Sequence, residues 1–113
     1  MKRSEVKRIQ DILESADDLA ELVELGIVDF HSNKFSTLAG AKLLENIGEA
    51  CGHLSEELKS SFPDIEWKKI IGMRILIAHS YHRVDSDFIW IIANTSVPEL
   101  AAELRARFPD LEL

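Results

Sequence analysis

The chain has 113 residues, which is enough for one domain with a single hydrophobic core. Hydrophobic residues make up 46% of it and charged residues 29%, which excludes a wholly disordered protein. The net charge of −7 argues against a protein that coats nucleic acid without sequence preference. The single cysteine, Cys51, excludes a disulfide framework and favours a cytoplasmic protein. No apolar run reaches about 18 residues and no signal peptide is visible, so we expect no membrane association.

Charge is unevenly distributed along the chain. The window 67–84 contains no Asp or Glu, but it contains Lys68, Lys69, Arg74 and Arg83, together with two histidines. A basic segment in an acidic protein is either a local binding site or a chance cluster on a solvated helix face. Charge alone does not decide between these two interpretations.

The first predicted helix begins at Ser4, as its cap, and ends at Gly26. Apolar residues recur in this stretch at steps of three and four, which places them on one face of a helix. They are Val6, Ile9, Ile12, Leu13, Ala16, Leu19, Ala20 and Val23. We expect the acidic residues of the opposite face to be solvated, and Gly26 to end the helix in a left-handed conformation.

Residues 26–36 are predicted to form a loop or short turn anchored by Phe30 and Phe35. A second helix is predicted over Thr37–Lys59, again from an apolar stripe at helical spacing. The stripe consists of Leu38, Ala41, Leu44, Ile47, Cys51, Leu54 and Leu58. Because Cys51 lies on this stripe, we expect it to be buried and unreactive.

Three glycines fall inside the second predicted helix, at Gly40, Gly48 and Gly52. Each costs about 1 kcal/mol of helix propensity relative to Ala. Small residues let neighbouring helices approach closely, so we expect tight helix packing on this side.

A break is predicted at 60–64, where Pro63 fixes a turn. A third helix is predicted over Glu66–Tyr81, with Asp64 as its cap, and a fourth from Asp85 or Ser86.

The last predicted helix begins with Ser96 as cap and Glu99 in capping-box position, with Pro98 in its first turn. Strand signals are nearly absent. The sequence therefore predicts one all-α domain over residues 1–113, an antiparallel bundle of four to five helices.

Several signatures of enzymes are missing, including a phosphate-binding glycine loop, a nucleophile elbow and a zinc-binding His-Glu-x-x-His motif. Glu45 and Glu49 stand four residues apart, but a di-iron bundle needs Glu-x-x-His on two helices and this chain has none. We therefore expect no metal site.

The remaining candidates for chemistry are Arg74, His79 and Tyr81, in the basic window. At about 100° per residue, Arg74 and Tyr81 share one face of a helix, whereas His79 lies about 140° away from Arg74. Three arrangements would bring Arg74 and His79 to one site. The helix ends or bends near His79, or the long side chain of Arg74 reaches across, or two copies of the motif face each other across a two-fold interface.

These residue types suit the cleavage of RNA by its own 2′-hydroxyl. A histidine takes or gives a proton near neutral pH, and a guanidinium holds two oxygens of the pentavalent phosphate. Tyrosine donates a hydrogen bond or stacks on a base. The same residues also fit a purely structural arrangement, namely a histidine at a helix end, an arginine in a surface ion pair and a tyrosine at the rim.

The motif resembles the HEPN superfamily, in particular the HepT-like toxins of bacterial and archaeal toxin–antitoxin pairs. The family signature is an arginine, four residues, a histidine, one residue and a tyrosine, which Arg74, His79 and Tyr81 match. The similarity covers residues 43–104. It includes Leu44–Ala50, Phe62–Trp67, Ile71–Arg74, Tyr81–Asp85, Trp90 and Pro98–Leu100.

The resemblance implies a helical bundle that forms a homodimer, with two copies of the motif lining a shared cleft. It implies a metal-independent endoribonuclease without cofactors, acting on RNA such as tRNA or mRNA, with Arg74 and His79 as catalytic residues. The implied partner is an MntA-like nucleotidyltransferase antitoxin, as in type VII-like pairs, which transfers AMP from ATP to Tyr81. The added phosphate would oppose RNA binding in the cleft.

One position departs from the family pattern, because Ile75 stands where a small polar residue usually follows the arginine. Two alternatives to a ribonuclease therefore stay open. One is a catalytically weak or inactive module that binds a nucleotide or a partner. The other is a structural dimerisation bundle, which the apolar residues around Ile75 also favour.

Further residues are assigned simpler roles. Lys68, Lys69, His82 and Arg83 are candidates for contacts with RNA phosphates, although solvated residues give the same pattern. Trp67 and Trp90 are expected to be core or interface anchors. The other two histidines, His31 and His53, are expected to lie on the surface.

Overall fold

The computed structural model describes residues 2–79 and 86–111, apart from the side chains of residues 76, 78 and 79. All the regular structure in these ranges is helical, which confirms the predicted all-α class. The helices are α1 (Arg3–Glu24), α2 (Ile27–Ser32), α3 (Lys34–Gly52), α4 (Glu56–Ser60), α5 (Trp67–His79), α6 (Ser86–Asn94) and α7 (Ser96–Arg107). Helix α3 is central, since it packs against α1 on one side and α5 on another.

The apolar stripe of α1 forms one wall of the core, as predicted. Ile9, Ile12 and Leu19 are fully buried, and together with α3 they exclude water from the centre of the bundle. The predicted cap is wrong, because the Lys2 carbonyl already accepts from the backbone N–H groups of Glu5 and Val6. Ser4 therefore lies inside the first turn, and Lys2 is the N-cap.

Helix α1 ends just before Gly26, as predicted. Gly26 has φ of 97°, a conformation that other residues rarely adopt, and it separates α1 from α2. The predicted loop after it is wrong, because residues 27–32 form the short helix α2. Six residues are too few to show a helical period. Phe30 is buried as expected, but Phe35 is 70% exposed and anchors nothing in the described core.

The single helix predicted over residues 37–59 is two helices. Helix α3 begins earlier, where the Asn33 side chain accepts from the backbone N–H of Phe35, and it ends at Gly52. Ser55 then caps α4 by accepting from the N–H of Leu58 at 3.1 Å. The apolar stripe continues across the break because Leu54 remains buried. Leu38, predicted to be buried, is 53% exposed.

The second half of the chain follows the predicted boundaries closely. The break before α5 is present, α5 begins at Trp67, and α6 begins at Ser86. The predicted capping box of α7 is wrong, because Thr95 is the N-cap and Ser96 is already helical. The Thr95 hydroxyl instead donates to the Ile91 carbonyl, which ties it to the preceding helix.

Both tryptophans anchor the bundle, as expected. The indole N–H of Trp67 donates to the Lys59 carbonyl at 2.9 Å, and its ring packs edge-on against Phe62. Trp90 packs against Phe30 with ring centroids 5.4 Å apart. In the ranges that the structure describes, no helix has the length and apolarity needed to cross a membrane.

Candidate functional site

Arg74 lies in the middle of α5, on the side that faces α3. A Cβ atom placed on Gly48 of α3 would be 3.3 Å from the Arg74 Cβ and 3.0 Å from the Ile70 carbonyl oxygen. A side chain there would require α5 to move by a few tenths of an ångström. Gly48 therefore sets the separation of the two helices at the level of Arg74, which confirms the predicted close packing at this glycine.

Arg74 as a whole is half-buried. Among the described residues, no hydrogen bond or ion pair involves it, whereas other arginines are engaged. Arg105 pairs with Asp17 at 2.6 Å. Arg107 stacks on Phe62 at 4.2 Å and donates to the Ser61 carbonyl. Within the described part of the chain, the donors of Arg74 therefore remain available to a ligand, and the predicted surface ion pair is not formed there.

Ile75, directly after the arginine, is 55% exposed. Gly72 lies one turn earlier on the same outward side of α5, and a Cβ placed on it meets no described atom within 4 Å. Lys68 lies a further turn earlier and is also exposed. The outward face of α5 therefore combines a basic residue, a glycine with open space around it and an exposed apolar residue.

A groove of about 910 Å³ runs beside this face, between α4 and the start of α5. Its lining includes Lys59, Trp67, Lys68, Lys69 and Gly72. Two of these lysines have acidic neighbours, since Lys59 lies 2.9 Å from Glu56 and Lys69 lies 4.0 Å from Glu66. Lys68 and Lys69 are both exposed, so contact with RNA phosphates stays a prediction that their placement permits.

The rest of the motif lies partly or wholly outside the described residues. The backbone of His79 is described as the last residue of α5 in the first range. The side chain of His79 and the whole of Tyr81, His82 and Arg83 lie outside the described residues. The convergence of Arg74 and His79 on one phosphate therefore stays a prediction.

Acidic residues of α1 and α3 line a second groove, of about 450 Å³. It includes Asp11, Glu14, Asp18 and Glu49, balanced in part by Arg8. Over residues 2–79 and 86–111, no group of three or more His, Cys, Asp or Glu residues is arranged to hold a metal ion. Asp11, Glu14 and Asp18 of α1 thus lie on the solvated face that the sequence predicted.

Cys51 is fully buried in the core. Burial in apolar surroundings disfavours the thiolate and raises the pKa of Cys51 to about 12. The thiol is therefore protonated and unreactive at neutral pH, as expected from its place on the apolar stripe.

His31 contacts two residues of α6 that its place in the sequence does not indicate. Its Nδ1 lies 2.7 Å from the Ser86 hydroxyl, and its Nε2 lies 3.3 Å from a carboxylate oxygen of Asp87. The partners are 55 residues apart in the chain, so no local spacing signals the contact. His31 and His53 are both exposed, as predicted, and His53 lies at the end of α3.

Known proteins are similar in sequence to this chain over nearly its full length. "Putative RNase MJ1380" of Methanocaldococcus jannaschii is 33% identical over 106 residues, covering 92% of this chain and 97% of its own. "Probable ribonuclease HepT" of Thermococcus cleftensis is 32% identical over 101 residues, covering 88% of this chain and 92% of its own. No solved structure matches the chain significantly.

The all-α bundle has the helical architecture of the HEPN class of proteins. The model of the family described as ribonuclease HepT-like matches residues 12–107. The chain therefore belongs to the HepT-like ribonuclease family.

Proposed function

We propose that this protein is an endoribonuclease toxin that cleaves RNA without a metal ion at a cleft shared by two protomers. The observation that carries the proposal is Arg74, half-buried on α5 with no partner among the described residues, in a chain of the HepT-like ribonuclease family. The relatives named as RNases support this chemistry.

In the proposed reaction the ribose 2′-oxygen attacks the adjacent phosphorus and the 5′-oxygen leaves. His79 is the general base that accepts the 2′-hydroxyl proton, and the leaving 5′-oxygen takes up a proton from solvent. Arg74 stabilises the negative charge that develops on the pentavalent phosphate. The products are a 2′,3′-cyclic phosphate and a 5′-hydroxyl end.

The outward face of α5 supports the homodimer. Gly72 costs about 1 kcal/mol relative to Ala in a helix interior, and nothing described within 4 Å requires it. Together with the exposed Ile75, it offers a surface on which a second α5 can approach closely. A two-fold axis beside this face brings both motifs to one place, since the same patch meets itself.

The proposed partner is a nucleotidyltransferase antitoxin. In the proposed inactivation the Tyr81 oxygen attacks the α-phosphorus of ATP, pyrophosphate leaves, and AMP stays on the tyrosine. The modified side chain then places a phosphate beside Arg74 and opposes RNA binding. Tyr81 thus serves as both a wall of the cleft and the target of modification.

Cleavage assays with matched variants test the activity. We expect the purified dimer to cut single-stranded RNA or tRNA. We expect Arg74→Ala to lower kcat about a hundredfold, and His79→Ala to lower it by a similar or greater factor. Arg105→Ala and His53→Ala are the matched controls and should cut normally, because Arg105 pairs with Asp17 and His53 is exposed. RNA left intact by the wild-type dimer, or full activity of His79→Ala, would contradict the proposal.

A second candidate function is a binding module without catalytic activity. The observation that favours it is Ile75, an exposed apolar side chain beside the arginine. This candidate predicts binding of a nucleotide or of the nucleotidyltransferase without RNA cleavage, and no arrest of growth when the chain is expressed alone. Isothermal titration with ATP and with the partner, run beside the cleavage assay, distinguishes the two functions.

A further inference from the structure

The groove between α4 and the start of α5 has an apolar lining. Its volume of about 910 Å³ is in the range of small-molecule sites, which is about 300–1,000 Å³. Phe62 and Ile65, two of the lining residues, are buried in the core, and Trp67 adds an aromatic residue to the wall. A flat apolar group that enters this groove therefore leaves water for an apolar surface.

Trp67 is held in a fixed orientation at the groove. Its indole N–H donates to the Lys59 carbonyl at 2.9 Å and lies 3.3 Å from the Phe62 carbonyl oxygen. Its ring packs edge-on against that of Phe62, with centroids 6.2 Å apart. Trp67 is nevertheless only partly buried. A ligand that packs on its accessible part thus meets a surface that is already ordered.

The α5 wall of the groove is open along the helix. Trp67, Lys68, Ile71 and Gly72 all line the groove and lie on one side of the first two turns of α5. A Cβ placed on Gly72 meets no described atom within 4 Å, so no described side chain closes the groove at this end. An extended chain molecule can therefore run along the groove and leave it beside α5.

The rim of the groove carries three lysines. Lys59 lies 2.9 Å from Glu56, whereas Lys69 lies 4.0 Å from Glu66, which is the outer limit of an ion pair. Lys68 is exposed and forms no ion pair with any described residue. Pairs with such exposed carboxylates are weak, because water and salt screen them. An anionic ligand therefore finds uncompensated positive charge here, although the chain as a whole is acidic.

An aromatic wall beside exposed lysines matches single-stranded nucleic acid, in which every nucleotide combines a flat base with an anionic phosphate. A duplex keeps its bases stacked inside and offers only its phosphates. We propose that this groove binds unpaired nucleotides of RNA, with a base packed on Trp67 and phosphates bound by Lys68 and Lys69. This inference rests on the proposed ribonuclease function, and it adds a binding site for the strand outside the Arg74 motif.

A 2′-O-methyl oligonucleotide measures binding without cleavage, because it lacks the 2′-hydroxyl that attacks the phosphate. We expect Lys68→Gln to weaken its binding to the full-length protein about fivefold, and the added Lys69→Gln to weaken it further. The dependence of log affinity on log salt should become less steep by about 0.7 for each lost phosphate contact.

Lys34→Gln is the matched control for these variants, since Lys34 is an exposed lysine at the start of α3, outside the groove. Its affinity for the oligonucleotide should equal that of the wild type. Equal affinities of the control and of the protein with both groove lysines replaced would overturn the proposal.

Tryptophan fluorescence reports the contact with a base. Trp90→Phe leaves Trp67 as the only tryptophan, and we expect the single-stranded oligonucleotide to quench its emission. Trp67→Phe leaves only Trp90, which packs on Phe30, and its emission should stay constant. The difference between the wild type and Trp67→Phe gives the same reading if Trp90→Phe folds poorly. Absence of quenching that depends on Trp67 would overturn the base contact.

Cleavage kinetics separate this inference from the proposed function. In an active protein, Lys68→Gln should raise KM for single-stranded RNA about fivefold and leave kcat nearly unchanged, as expected for the loss of uniform binding. If the wild type cuts no RNA, the proposed function fails, and oligonucleotide binding with the same variant pattern still supports the groove. An acidic peptide that binds the groove more tightly than the oligonucleotide would assign the groove to a protein partner and overturn the proposal.

Discussion

At the scale of single residues, a glycine and an arginine on neighbouring helices define the described part of the candidate site. Gly48 lets α5 approach α3 closely enough that Arg74 starts from a half-buried position. The sequence suggested both residues separately, but the contact between them became visible only in the folded bundle.

Substitution of Gly48 by alanine tests this contact. The added Cβ would lie 3.0 Å from the Ile70 backbone oxygen, so α5 must shift, and we expect a loss of about 1–3 kcal/mol of stability. Chemical denaturation measures the loss, and RNA cleavage should fall with it. Gly52→Ala is the matched control, because among the described residues its Cβ would meet only Ile71, at 3.8 Å. Equal stability of the two variants would contradict the assigned role of Gly48.

A buried carboxylate provides a second prediction at this scale. Glu5 accepts a hydrogen bond from the backbone N–H of Ser55 at 2.9 Å, and hydrogen bonds from Ser55 lower the pKa of Glu5 below its ordinary value of 4.5. The charged form is thus favoured in the folded state. This contribution to stability is present above the ordinary pKa and is lost as the pH falls through the lowered one.

We therefore expect Glu5→Gln to melt at a lower temperature than the wild type at neutral pH, and the difference to vanish in acid. Thermal unfolding as a function of pH measures both effects. Glu57→Gln, at an exposed position of α4, should follow the wild type throughout. A constant difference between Glu5→Gln and the wild type across the pH range would contradict the pairing with Ser55.

At the scale of helices, periodicity identified the long elements and missed the short ones. The stripe of α1 was predictable because it repeats apolar residues over several turns, and the start of α6 agrees with the predicted start at Asp85 or Ser86. Helix α2 was not, since six residues show no period. The break before α4 was hidden because Leu54 keeps the apolar stripe continuous across it.

The caps show why local rules fail in tertiary context. Ser4 and Ser96 both stand where a capping residue is expected, yet Lys2 and Thr95 are the N-caps. The backbone carbonyls of Lys2 and Thr95 accept hydrogen bonds from N–H groups later in the chain, so each helix starts before its best candidate. In the candidate site, the motif spacing predicts Arg74 as a site residue, whereas the His31 contact joins residues 55 positions apart and left no local signal.

The outward face of α5 leads to a prediction about Gly72. With no described atom within 4 Å of a new Cβ, Gly72→Ala should stabilise the isolated protomer by about 1 kcal/mol. If a second α5 packs on this face, the same methyl group weakens the dimer. Analytical ultracentrifugation over a dilution series should show a higher dissociation constant. A variant that is more stable and dimerises like the wild type would remove this face from the interface.

At the scale of the whole molecule, the proposed switch is a covalent change on one tyrosine. After co-expression with its nucleotidyltransferase, the protein should gain the mass of one or more AMP units, and Tyr81→Phe should gain none. Intact mass spectrometry makes this measurement. The modified dimer should no longer cut RNA, because the added phosphate competes for the guanidinium of Arg74. AMP that persists on Tyr81→Phe would place the modification elsewhere.

The central claim is that Arg74 and His79 from adjoining protomers act on one phosphodiester. Mixing two inactive variants, Arg74→Ala and His79→Ala, tests it most directly. In a mixed dimer, one of the two shared sites retains an intact arginine from one chain and an intact histidine from the other. We expect RNA cleavage to return, at about half of the wild-type rate per mixed dimer. Mixtures that exchange subunits and remain inactive would contradict a site built across the interface.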